Sequence, residues 1–176
     1  MIIVESKEHT CCFFGHRKIE FKDKMISRIQ DIAEELITAN KADTFLFGSK
    51  SEFDKLCLSA VTKLKEKYPH IRRVYVRAEF PYIDESYTAY LLQSYDDTYY
   101  PERIKNSGRA AYVKRNFEMI DNSNYCIVYY DENYLPPRRK RGKKDLSDYQ
   151  PKSGTKLAFE YAKKKGLHIQ NVCDAI

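Results

Sequence analysis

Two short stretches of this chain combine residue types that can hold an anion. "FGHR" (14–17) closes an apolar run with a glycine, an imidazole and a guanidinium, and "SGT" (153–155) heads a run with helical spacing. Glycine lets backbone approach a ligand closely, while the start of a helix offers unpaired amides to phosphate oxygens. Arg17 presents a planar fork to a phosphate or a base edge. Each residue also has an ordinary use. Gly15 suits a tight turn, His16 a structural histidine, and Ser153 or Thr155 a helix cap. Their combination points to an anion or nucleotide site at Gly15, His16, Arg17, Ser153, Gly154 and Thr155. Neither GxGxxG nor GxxxxGK[ST] occurs, so dinucleotide-fingerprint and P-loop chemistry are unsupported.

The elements that would position these residues follow from hydrophobic spacing. Apolar runs with strand character cover 11–14, 44–47, 74–78, 125–130 and 168–172, with a smaller one near 98–100. Between them, apolar residues recur at steps of three and four over 19–40, 53–68, 110–120 and 155–165, with a shorter helix near 85–93. Pro69 should stop the second helix and Gly166 the last. Strand and helix in alternation predict an α/β, Rossmann-like three-layer sandwich with a mainly parallel sheet of five to six strands. In such a sheet, ligands bind beyond the carboxyl ends of the strands. That rule adds Gly48, Ser49 and Glu79 to the candidates. Arg115 and Asn116, on the helix over 110–120, join them, with Arg115 either contacting an anion or pairing with Asp121. The many tyrosines between 79 and 108 suit an aromatic wall or ordinary half-buried packing.

The length of 176 residues fits one domain spanning 1–176, with a basic loop inserted at 131–152. The formal charge of +6 is concentrated there, in Arg138, Arg139, Lys140, Arg141, Lys143 and Lys144. Leaving a strand end, this loop would be a cationic lid, a contact for nucleic-acid phosphates, or a solvated run without a partner. Cys11, Cys12, Cys57, Cys126 and Cys173 form no CxxC pair and lack histidines at ligand spacing, so buried reduced thiols are expected and no metal is. No cofactor is implied. "MIIVESKEHT" places Glu5 and Glu8 beside a short apolar run, unlike a secretory leader, and no run is long enough to span a membrane. A cytoplasmic location is expected.

"CCFFGHRKI" (11–19), "YVKRNFEMIDNSNYCIVYYD" (112–131) and "SGTKLAFEYAKKKG" (153–166) together resemble the YpsA-like proteins of the SLOG superfamily, relatives of the LOG phosphoribohydrolases and of the Smf/DprA DNA-processing proteins. The resemblance runs in order from residue 10 to about 172. It implies a Rossmann-like domain whose strand ends bind a nucleotide or nucleotide-derived ligand. LOG enzymes cleave an N-glycosidic bond using an arginine and then PGGxGTxxE. Arg115 stands where that arginine would be, and Gly154 with Thr155 match the GT. The glutamate position is Ala158. Glu160, two residues on, lies about 200° around the helix and cannot replace it. The resemblance therefore implies a phosphate cradle without its hydrolytic carboxylate, and a sensor or adaptor without strong catalytic activity. The alternatives are a LOG-like hydrolase, with Glu79 supplying the carboxylate, and a single-stranded nucleic-acid-binding module. Helix-mediated pairing of such folds leads to the expectation of a homodimer.

Overall fold

Strand β1 (Thr10–Gly15) is buried on both faces, and its alternation divides the interior. Cys11 and Phe13 join one apolar cluster, Cys12 and Phe14 another. The computed structural model describes residues 6–134 and 153–175. Its other strands are β2 (Thr44–Phe47), β3 (Arg72–Val76), β4 (Asp97–Tyr99), β5 (Tyr125–Tyr129) and β6 (His168–Asn171). They assemble in the order β4-β3-β2-β1-β5-β6, with every neighbouring pair parallel. Helices α1 (Lys22–Asn40) and α2 (Glu52–Lys67) cover one face; α4 (Ala111–Asp121) and α5 (Gly154–Lys164) cover the other, and the short α3 (Glu85–Leu91) joins β3 to β4. This is a Rossmann-like α/β sandwich of three layers.

The spacing that forms the helices is also what they bury. Met25, Ile29, Ile32, Ala33, Leu36 and Ile37 make the inward stripe of α1. Ser51 caps α2 by accepting from the Asp54 amide, and Ser153 caps α5 by accepting from the Lys156 amide. Four cysteines are buried and Cys173 is half-buried, none in a disulfide. Burial pushes the thiols of Cys11 and Cys57 upward. No helix among the described residues is long and apolar enough to cross a membrane. The basic run at Arg138–Lys144 lies outside the described residues.

Two elements begin more than one residue away from the sequence expectation. The first long helix begins at Lys22, not at Ile19, because residues 16–21 have other partners: the Glu52 carboxylate accepts from the Ile19 amide at 3.0 Å, and the Glu52 amide donates to the Arg17 carbonyl at 3.0 Å. Phe21, at φ 56°, then turns the chain into the helix. The third strand is shifted toward its start, running Arg72–Val76 in place of 74–78. Its first two residues are arginines whose paired heads let them sit in the sheet. The chain places β2, β3 and β4 successively outward from β1, then returns to lay β5 on the other side. Strand order therefore reverses between β1 and β5, which opens a crevice at their carboxyl ends.

Candidate functional site

A cleft of about 970 Å³ lies along the carboxyl ends of β1, β2 and β3. The turn after β1 supplies Gly15, His16 and Arg17, the turn after β2 supplies Gly48 and Ser49, and Glu79 follows β3. Arg115 and Asn116 reach it from α4, and Ser153, Gly154 and Thr155 from the start of α5. The "FGHR" and "SGT" segments, far apart in the chain, thus share one cavity.

The glycines differ in what they permit. A Cβ on Gly15 would stand 2.3 Å from the Phe53 ring, so its smallness serves the packing of α2 against β1; the sequence expectation had been close approach to a ligand. A Cβ on Gly48 would stand 2.8 Å from Arg115 Cδ and Nε. Bare backbone there lets the arginine cross and donate from Nη1 to the Gly48 carbonyl. Of the three cleft glycines, Gly154 alone has open space where a side chain would be, at the amino end of α5, whose first amides lack helical acceptors.

His16 is 2% exposed. Its Nε2 accepts from the Asp131 amide at 3.0 Å, and its ring stacks on Tyr134 with centroids 4.0 Å apart. Burial lowers its pKa, although the nearby Asp131 charge opposes this. Since Nε2 accepts, the neutral ring carries its proton on Nδ1, which has no partner among the described residues. Arg17 is exposed at the rim.

Arg115 is 4% exposed and Arg77, just beyond β3, is 8% exposed. Arg115 donates from Nε to Asn116 Oδ1 at 2.9 Å, and its guanidinium stands 5.7 Å over the Tyr112 ring. Arg77 donates to the Phe80 carbonyl at 3.3 Å and the Thr98 hydroxyl at 3.1 Å. Among the described residues, neither has a carboxylate within 4.0 Å. Burial lowers the pKa of both. The alternative pairing of Arg115 with Asp121 does not occur: Asp121 lies at the opposite end of α4, where Arg103 at 2.6 Å and the Tyr161 hydroxyl at 2.9 Å bind it.

Asp54 lies beneath the Gly48–Ser49 turn, accepting from the Ser49 amide at 2.7 Å. Burial pushes its pKa up to about 6, despite the Ser49 hydrogen bond and the Arg115 charge. Glu79 is exposed and accepts a hydrogen bond from the Tyr112 hydroxyl. Ser153 spends its hydroxyl on the α5 cap, while Thr155 is 9% exposed on the cleft wall. Ala158, one turn deeper, is 1% exposed in the core, so this helix position offers no carboxylate to the cavity.

Sequence reasoning missed Arg77, Asp54 and the particular aromatics of the wall: Tyr75, Phe80, Tyr87, Tyr112 and Tyr134. Extending the third strand to Ala78 hid Arg77 inside it. Asp54 had a signal in the Ser51-x-x-Asp54 cap spacing, which says nothing about its burial.

The fold and cleft define a Rossmann-like α/β protein with an electropositive cavity at the strand ends. No family model matches the chain. It is similar to the uncharacterized SPbeta prophage-derived protein YoqJ of Bacillus subtilis strain 168, with 28% identity over 169 residues, covering 86% of this chain and 85% of that protein.

Proposed function

We propose that this chain is a SLOG-like, YpsA-like domain that binds a nucleotide or nucleotide-derived ligand at the strand ends, as a sensor or adaptor without strong catalytic activity. One observation carries the reading: Arg77 and Arg115 are buried on the cleft with no carboxylate among the described residues within 4.0 Å. A buried cation is costly unless paired, which favours an anionic ligand beside these guanidiniums. The start of α5 adds unpaired amides and the positive end of a helix dipole. Pairing of two copies is part of the proposal and is read from the mass in solution.

Calorimetric titration with AMP tests it. Binding is expected, weakened roughly 10- to 100-fold in Arg115→Ala, as for loss of a charge-assisted hydrogen bond. No free adenine is expected to appear. Release of adenine that disappears in Arg115→Ala would establish the hydrolase instead. Absence of AMP and GMP binding would overturn the nucleotide reading.

A further inference from the structure

The β3 end of the cleft is walled by exposed and half-buried aromatic rings. Phe80 is 56% exposed and Tyr112 is 49% exposed, both on the cleft. Phe80 and Tyr87 meet at 73° with centroids 5.9 Å apart, forming a corner and not a closed stack. Phe80 is held at φ 58°, an unfavourable conformation for a bulky residue, and Arg77 donates to its carbonyl. Backbone strain and a buried guanidinium thus hold a large apolar ring out of the core. Glu79 stands beside it, with Oε1 accepting from Tyr112. A carboxylate has about four acceptor sites and no donor, so capacity remains.

Resting on the nucleotide reading above, we propose that this corner is a purine subsite: Phe80, Tyr87 and Tyr112 contact the base faces, and Glu79 reads the base edge with a preference for guanine over adenine. Guanine presents two adjacent donors, N1–H and the N2 amino group, to a carboxylate. Adenine sets its amino donor beside N1, an acceptor that a carboxylate repels.

The test titrates the full chain with ribose 5-phosphate, AMP and GMP at one salt concentration. GMP should bind about ten-fold tighter than AMP, the scale of one bidentate base contact, and AMP tighter than ribose 5-phosphate. Phe80→Ala, at an exposed position, should weaken both nucleotides about ten-fold, the scale of one stacking contact, and leave ribose 5-phosphate unchanged. Glu79→Gln, whose amide can donate as well as accept, should abolish the GMP preference. Circular dichroism should show native folding in both variants. Equal binding of all three ligands, weakened together in Arg115→Ala, would overturn the purine subsite while leaving the anion site intact. AMP binding as tight as GMP in the unmodified chain would overturn the assignment of Glu79. Absence of binding by all three would overturn both the subsite and the nucleotide reading beneath it.

Discussion

Strand β3 begins with Arg72 and Arg73 and is followed by Arg77, and its two ends treat these cations differently. Arg72 meets Asp97 at 3.2 Å, and Arg73 grips Asp96 at 3.0 Å while also bonding Thr62. Arg77, at the other end, is more deeply buried and, among the described residues, is held by a carbonyl and a hydroxyl and by no carboxylate. The contrast extends along both edges of the sheet. At the amino edge, burial raises the carboxyls of Asp96 and Asp121, but Arg73 and Arg103 outweigh it and hold them low. At the carboxyl edge, Asp54 is pushed up, and His16, Arg77 and Arg115 are pulled down, in each case chiefly by burial. Glu52 on the rim is an exception, held low by the Ile19 amide and Lys22. One edge is arranged so that charge stabilises the fold. The other carries charge at a cost, as expected of groups arranged for a ligand.

The largest expected effect that sharpens this contrast belongs to Asp54. Its carboxyl titrates near 6 in the fold and near 3.9 in an unfolded chain. Between those values the fold binds the proton more tightly. The stabilisation is therefore fully present below about pH 4 and is lost as pH rises through about 6, up to about 3 kcal/mol at neutral pH. Asp54→Asn keeps an acceptor for the Ser49 amide and removes the titration. Urea unfolding should show the variant gaining on the unmodified chain by up to about 3 kcal/mol between pH 4 and pH 7. A constant difference across that range would mean that Asp54 is not held in a cost-bearing state.

A smaller effect of opposite sign is expected at the amino edge. Arg73→Met removes the fork that grips Asp96 and leaves that carboxylate the backbone amide of residue 73, at 2.8 Å, and Lys65, at 3.4 Å. The loss should be about 1–2 kcal/mol, since the group is partly exposed and hydrogen-bonded. Raising the salt concentration should shrink it. AMP affinity should not change, because Arg73 lies at the opposite end of the strand from the cleft. A change in affinity without a change in stability would erase the distinction between the edges.

Much of this architecture was legible in the sequence because periodicity records burial. Apolar runs at 11–14 and 44–47 fall within β1 and β2, and the stripe from Met25 to Leu36 is the buried face of α1. The rule that strand ends bind ligands then selected residues that line one cleft. What periodicity could not show is which polar partner each group finds. Gly15 looked like a ligand-facing turn, yet Phe53 from α2 occupies the space beside it. Asp54 looked like one more residue of a helical start, and only the turn above it explains its burial. Arg77 escaped notice because "RRVYVRAEF" spreads cations through an apolar run, and the chemistry of each depends on which end of the strand it occupies.

Arg77→Met gives the smallest effect and the closest comparison, since it repeats the Arg73 substitution at the other end of the same strand. Methionine keeps much of the buried stem and removes a charge that no carboxylate among the described residues compensates. It also forfeits hydrogen bonds to the Phe80 carbonyl and Thr98 hydroxyl, each contributing about 1 kcal/mol. These changes oppose one another, so stability without ligand should move by less than about 1 kcal/mol, in contrast to the loss at Arg73. Inorganic phosphate makes the difference visible. It should raise the melting temperature of the unmodified chain by binding the folded state, and raise that of Arg77→Met less. Equal phosphate stabilisation of the two would place the anion elsewhere in the cleft, with Arg115 and the start of α5 its remaining contacts.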